Sequence, residues 1–356
     1  MIEKYLAVPA YGKLSSLELA TLRDSSNFHF EIIDCSADLP LLEIERSDAK
    51  ILAKRQGGFF KLVKISGKSK EDLLAGLPLP DDAKFNWTVS SYGCDQDVQE
   101  DIRYEISNFL KSKSLGKSRY VKSEPPSLEK YGMPVTELRL ADLEKNILSQ
   151  TETRSSGLEI VALCKNKEQL FGYTEFLSDL HGYQKRDFAR SYQDPTTTIG
   201  PRLARVLVNL TGLQKGQTLL DPFCGLGTIL QEAMMCGYNA VGVDISTANV
   251  RKTISNMDWF KKEFRISPKL WSRIIRADST RLEEGDLQRV DGIATEPLLV
   301  PKFEKNPNPG GAEEILREVR IDYRNLVRAF GRILRQNQKA VVVAPDIIDD
   351  MGRTHT

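Results

Sequence analysis

The stretch Thr218-Leu219-Leu220-Asp221-Pro222-Phe223-Cys224-Gly225-Leu226-Gly227-Thr228 decides how the second half of the chain folds. It reads as a buried strand ending at Asp221, a glycine turn, and a helix running on to Cys236. Gly225 and Gly227 carry no Cβ, so the backbone there can approach a ligand closely. The helix start behind them offers unpaired amides. A second buried strand, Ala240–Ile245, ends at Asp244, where an acid typically takes the ribose hydroxyls of an adenosyl ligand. A third acid, Asp278, follows the run Arg273–Ala277, and a fourth run leaves the sheet at Glu296-Pro297. In a doubly wound sheet such strand ends share one ligand crevice. A carboxylate held there beside a rigid proline can accept hydrogen bonds from a substrate amine. Helices and buried-type strands alternate to the end of the chain, which predicts an α/β domain.

Two nucleotide-type cofactors compete for this loop. A dinucleotide fingerprint wants G-x-G-x-x-G, and its third glycine position is Leu230. An adenosyl-sulfonium has no pyrophosphate, so a carboxylate such as Asp221 near its ammonium is an asset rather than a liability. Cys224 sits inside the loop and reads as a small packing residue, not as a nucleophile for carbon methylation.

Outward toward the N-terminus the pattern changes. Residues 1–66 give the order β-α-β-β-α-β of a ferredoxin-like unit, with Ser15 and Glu18 read as a capping box at the first helix. Residues 66–83 read as a Gly/Pro-interrupted connector. A second α+β unit over 67–176 holds a strand at Phe85–Ser90, an amphipathic helix from about Asp95 to Lys111, a basic turn, a strand near Tyr120, a helix over about Glu137–Leu148, and a hairpin around Lys165–Glu168. A polar connector spans Ser178 to Thr198, within a linker over 177–212, and the α/β domain takes 213–356. Near the C-terminus, Arg317, Arg320, Arg324, Arg328, Arg332 and Arg335 share one helix face, with Leu316, Val319, Tyr323, Leu326, Phe330 and Ile333 opposite, toward the sheet.

The chain has 356 residues, 40% hydrophobic and 28% charged, which excludes collagen-like and disordered classes. No apolar run approaches the ~18 residues of a membrane helix, and no signal peptide is visible. Five cysteines are scattered and never spaced CxxC, and three histidines make a zinc site a poor expectation. The chain therefore reads as a cytoplasmic protein of a reducing compartment, without membrane or metal. Fifty cations balance forty-nine anions, so net charge argues for no polyanion. Its distribution does. Residues 1–50 hold five cations and nine anions, whereas 109–122 hold Lys111, Lys113, Lys117, Arg119 and Lys122 with no anion. Those five, beside Tyr120, are the candidate phosphate-gripping residues.

Asp221–Thr228, together with Pro201-Arg202-Leu203-Ala204-Arg205 and Tyr183-Gln184-Lys185-Arg186-Asp187-Phe188-Ala189-Arg190, resembles the THUMP-domain RNA methyltransferases, closest to the tRNA guanosine-10 N2-methyltransferase family. The resemblance covers essentially the whole chain. It implies an N-terminal ferredoxin-like domain and a THUMP domain joined by a linker to a Rossmann-like methyltransferase that acts on tRNA. It also implies S-adenosyl-L-methionine as cofactor. Asp221, Gly225 and Gly227 would hold its methionine end, Asp244 its ribose and Asp278 its adenine amine, with Pro222, Cys224, Thr228 and Ile245 also in the cofactor-binding set. Glu296 and the Pro297 carbonyl would accept the hydrogens of a guanine N2 amine. The family's catalytic motif is Asp/Asn-Pro-Pro-Tyr/Phe; here the matching residues are Glu296, Pro297, Leu298 and Leu299, so the acid gains a methylene and the stacking aromatic is gone. Ser191 stands where the family usually has proline. Two other readings stay open: an amino-methyltransferase for DNA, ribosomal RNA or protein, and a module that binds RNA and cofactor without turnover.

Overall fold

The computed structural model describes residues 1–25, 29–35, 39–79, 85–115, 117–121, 157–165, 168–194, 198–287, 289–297 and 305–356. They divide into two compact units, one of residues 1–16 and 27–181, the other of residues 17–26 and 182–356. Among the described residues no helix is long and apolar enough to cross a membrane.

From the N-terminus the chain runs β1 (Ile2–Pro9), α1 (Lys13–Ser25), whose residues from 17 onward count with the second unit, then β2 (Phe30–Asp34), β3 (Leu41–Glu45), α2 (Arg46–Arg55) and β4 (Phe59–Gly67) of the first. It continues through α3 (Lys70–Gly76), β5 (Asn86–Tyr92), α4 (Gln96–Ser112), β6 (Arg119–Tyr120), β7 (Gly157–Lys165) and β8 (Glu168–Leu177). The first four strands lie in the order β2-β3-β1-β4, as the β-α-β-β-α-β pattern expects, with every pairing among them antiparallel. The division read at residues 66/67 falls inside one sheet, however. β4 pairs antiparallel with β8, so eight strands run on as β2-β3-β1-β4-β8-β7-β5-β6. One buried carboxylate pins that junction. Glu159 of β7 accepts from Lys61 Nζ of β4 at 2.5 Å, Thr174 Oγ1 of β8 at 2.5 Å and Ser90 Oγ of β5 at 2.6 Å. Four neighbouring strands are thereby fixed in register, because a slip would strand a buried charge.

Three local readings are corrected in this unit. The connector 66–83 contains α3, whose N-cap Ser69 accepts from the Asp72 amide while Asp72 reaches back to the Ser69 amide. The capping box read at Ser15 and Glu18 is not one, because α1 starts at Lys13 and both lie inside it. Ser15 Oγ donates instead to the Gly58 carbonyl at 2.6 Å. Cys94 and Cys164 form a disulfide across 70 residues, so the cysteines are not all free thiols. The helix read at 137–148 lies outside the described residues.

The second unit resumes at residue 182 within α5 (Leu180–Phe188), inside the stretch read as a polar connector, and continues with α6 (Pro201–Leu210). Its sheet collects β9 (Thr218–Asp221), β10 (Asn239–Asp244), β11 (Ser272–Arg276), β12 (Gly292–Thr295) and β13 (Ala340–Val342) in the order β11-β10-β9-β12-β13, all parallel. The covering helices are α7 (Thr228–Met235), α8 (Thr247–Glu263) and α9 (Pro309–Ile333). β9 and β12 are fully buried runs, as a sheet covered on both faces requires. The chain moves outward from β9 through β10 to β11, then returns to the other side of β9 at β12. That reversal opens a crevice at the strand ends between β9 and β12. Leu316, Val319, Leu326, Phe330 and Ile333 of α9 are buried, as the apolar face predicts.

Candidate active site

The crevice is lined by Asp194, Thr198, Ile199, Asp221, Phe223, Cys224, Gly225, Leu226, Thr228, Ile229, Asn249, Lys252 and Glu296. Of the residues singled out from sequence, Asp221, Cys224, Gly225, Thr228 and Glu296 therefore meet in one place. Pro222, Gly227, Asp244, Ile245, Asp278 and Pro297 stand outside that lining.

The turn after β9 is built by its own hydrogen bonds. Gly225 at φ +49° and Gly227 at φ +89° occupy the left-handed region, where a Cβ is penalised. The Cys224 amide donates to the Val243 carbonyl at 2.9 Å and the Gly227 amide to the Cys224 carbonyl at 2.7 Å. Gly225 N donates to Asp244 Oδ2 at 3.2 Å, so the acid ending β10 is bonded to the loop it was expected to flank. Asp244 also accepts from the Ser246 amide and from Asn249 Nδ2. Cys224 is buried, and burial pushes its thiol well above the ordinary range, which fits packing rather than nucleophilic attack. Ile245 is exposed. Asp278 accepts from Thr280 N and Oγ1 and pairs with Arg281, while the neighbouring Ser279 hydroxyl donates to the Pro222 carbonyl. The strand end of β11 is thus tied to the loop of β9.

Two acids carry the electrostatics of the crevice. Asp221 is buried and accepts from Thr295 Oγ1 at 2.8 Å and the Phe223 amide at 3.1 Å. Burial pushes its carboxyl up to about 7 despite those two bonds. Glu296, half-buried at the exit of β12, is raised by burial as well. Pro297 beside it is buried. Leu298, Leu299 and Lys122 lie outside the described residues.

Sequence reasoning missed Asp194, Thr198, Asn249 and Lys252, and it misjudged the linker. Arg186 of α5, Arg205 of α6 and Glu232 of α7 form a buried cluster, with Arg186 and Arg205 on opposite oxygens of one carboxylate. The Tyr183 ring lies 4.6 Å from the Arg186 guanidinium carbon and 4.9 Å from that of Arg202. Arg190 Nη1 donates to Thr228 Oγ1 at 2.7 Å, and the Tyr192 amide to Asn256 Oδ1 at 3.0 Å. The linker arginines therefore seat the segment that carries Asp194 into the crevice. The i+3 spacing of Tyr183 and Arg186 was the available signal, since it puts both on one face of α5; Arg190 lies just beyond that helix's end at Phe188.

In the first unit Lys111, Lys113, Lys117 and Arg119 are exposed around the end of α4 and β6. Tyr120 does not join them as a free stacking surface. Its ring lies 4.8 Å from that of Trp87 and is covered by Arg103. Among the described residues no group of His, Cys, Asp or Glu could hold a metal ion.

Residues 189–298 match the RMKL-like methyltransferase domain family. The tRNA (guanine(10)-N2)-dimethyltransferase of Methanothermobacter thermautotrophicus is 29% identical over 295 residues, 81% of this chain and 74% of that protein. A probable tRNA (guanine(10)-N2)-dimethyltransferase of Methanothermococcus thermolithotrophicus is 37% identical over 120 residues, 33% of this chain and 70% of that protein. Among solved structures, TrmN from Thermus thermophilus matches with a TM-score of 0.52 over 93% of this chain and 86% of its own, at 18% identity, a likeness of fold alone.

Proposed function

The chain belongs to the tRNA (guanine(10)-N2)-dimethyltransferase family, and from that premise we propose that it methylates the exocyclic N2 amine of a guanine in tRNA. The observation that carries the reading is the charge of the crevice. Among the described residues that line it, Asp194, Asp221 and Glu296 face a single lysine, Lys252. A pyrophosphate would be repelled there, whereas S-adenosylmethionine, with an ammonium, a sulfonium and one carboxylate, finds a partner for each charge. Asp221, Gly225 and Thr228 would hold its methionine end, Asp244 and Ile245 its ribose, and Asp278 its adenine amine. Bound there, it supplies an electrophilic methyl on a positively charged sulfur.

The chain's own residues do the rest. Glu296 and the Pro297 carbonyl accept the amine hydrogens and turn the nitrogen lone pair toward the crevice. Glu296 then takes the proton that N2 releases. Catalysis on this account is alignment and exclusion of water, with no covalent intermediate on the protein. Residues 67–176, with Lys111, Lys113, Lys117, Arg119 and Lys122, would grip RNA phosphates, which positions the substrate without choosing the base.

Incubation of the purified protein with unmodified tRNA and S-adenosylmethionine, followed by nucleoside mass spectrometry, tests this. N2-methylated guanosine is expected, and Glu296→Ala should lower its formation roughly a hundredfold with cofactor affinity nearly unchanged. Tight binding of both ligands with no transfer to any tRNA would leave a binding module instead.

A further inference from the structure

A guanine whose N2 is to be aligned within a fraction of an ångström needs a surface that fixes the plane of its ring, as well as acceptors for its amine. An aromatic side chain is the ordinary means, because every base has a π-face. Positions 298 and 299, directly after Glu296-Pro297, are both leucine. Among the described residues, Phe223 and Tyr323 are aromatics held near the ends of β9 and β12. Phe223 lines the crevice and is partly buried against the apolar cluster that holds Leu220, Val241 and Val243.

Tyr323 is placed differently. The apolar periodicity of α9 put it in the core, where Leu326 and Phe330 lie, but it is only half-buried. Its hydroxyl donates to the Val343 carbonyl at 2.5 Å. The Val343 amide in turn donates to the Thr295 carbonyl at 3.1 Å, and Thr295 is the residue before Glu296. A chain of two hydrogen bonds thus ties the phenol to the point where Glu296 leaves the sheet. The environment of the phenol agrees. Burial pushes it above the ordinary tyrosine range, and the negative charge of Glu296 adds to that.

Resting on the methyltransferase reading, we infer that Tyr323 is the aromatic wall of the acceptor site. It fixes the plane of the target guanine while Glu296 and Pro297 hold its amine. The platform comes from α9, about thirty residues beyond the strand end, and the hydroxyl tether to Val343 stops the ring from turning away. Tyr323 is a positioning residue in this account and takes no part in proton transfer.

Two variants test it in the full-length protein with tRNA as substrate. Tyr323→Leu removes the ring, and kcat/KM for tRNA should fall by roughly 10- to 100-fold, the scale of one lost base stack. The Kd for S-adenosylmethionine should stay within about twofold. Tyr323→Phe keeps the ring and gives up the tether, and it should recover most of that loss, falling roughly threefold. A purely structural role would make both variants melt lower and weaken cofactor binding together. Equal activity of Tyr323→Leu and wild type, or equal losses in both variants, overturns the assignment and leaves the methyltransferase reading standing. A wild type that binds both ligands and methylates no tRNA overturns both.

Discussion

Glu232 and Asp221 are both sealed inside the second unit, 0% and 2% exposed, and the fold treats them in opposite ways. Glu232 lies between the guanidinium groups of Arg186 and Arg205, which approach from α5 and α6. Asp221 accepts from a threonine hydroxyl and a backbone amide, both neutral, and burial lifts its carboxyl to about 7. Desolvating a carboxylate is costly in either place. The fold meets that cost with its own cations at Glu232. At Asp221 it offers neutral donors alone, and on the proposed function the sulfonium and ammonium of the cofactor would bring the cation.

The sharpest way to break that contrast is to neutralise each acid in turn. Glu232→Gln leaves two buried guanidinium groups facing a neutral amide. Removing one partner from a buried ion pair typically costs about 3–5 kcal/mol. Thermal or denaturant unfolding should show a loss of that size. Asp221→Asn removes a charge the native state already resists, so at pH 8 its stability should equal or exceed that of wild type. Comparable losses in the two variants would show that Asp221 is as architectural as Glu232.

The second measurement follows the proton on Asp221. An ordinary aspartate titrates near 3.8, and this one is raised to about 7. Between those values the unfolded chain is ionised at this position and the native protein is not. The contribution of Asp221 to stability therefore falls as pH rises from about 4 to about 7 and is level above that. Cofactor affinity runs the other way. A bound cation favours the ionised form, so binding below pH 7 must release the proton, and affinity should rise about tenfold per pH unit up to about pH 7. Calorimetry in buffers of different ionisation enthalpy should find close to one proton released at pH 6. Asp221→Asn should bind weakly with no such slope. An unchanged slope in that variant would move the titrating group elsewhere.

The contrast between the two acids also explains which parts of the molecule were legible in the sequence. The strand ends were: Asp221, Asp244 and Glu296 each follow a short buried run, the mark a covered parallel sheet leaves, while Asp278 follows the edge strand β11, none of whose residues is buried. Glu232 was not. Its partners stand 46 and 27 residues away, one in a polar segment and one on an apolar helix, and charge pairing over such distances has no period. Glu18 failed for the same reason. Its spacing to Ser15 imitates a capping box, while its carboxylate accepts from Asn209 Nδ2 at 2.6 Å, 191 residues on. The disulfide between Cys94 and Cys164 and the meeting of β4 with β8 are likewise long-range pairings. Short α3 could have been found, because Ser69 and Asp72 carry a true capping box within three residues. Local chemistry was read correctly where the partner is local.

Lys111, Lys113, Lys117 and Arg119 show a third treatment of charge, and the smallest expected effect. All four are exposed in the first unit. Lys113 holds its ammonium 5.6 Å from the centre of the Phe109 ring, a weak contact at a solvated site. Neither folding nor a small ligand depends on such cations, so their removal should leave the melting temperature unchanged. What they can do is displace counterions from RNA phosphates. Each phosphate contact contributes about 0.7–0.9 to the slope of log K against log salt concentration. Replacing Lys111, Lys113 and Lys117 with alanine should therefore flatten the slope for tRNA by about two units. Because phosphate contacts carry no sequence information, the same nucleotide should be methylated by whatever activity remains. Filter binding across a range of potassium chloride concentrations reads the slope, and nucleoside mapping reads the target. An unaltered slope would make these lysines a solvated surface. A flattened slope with a changed target would make them readers of the base as well.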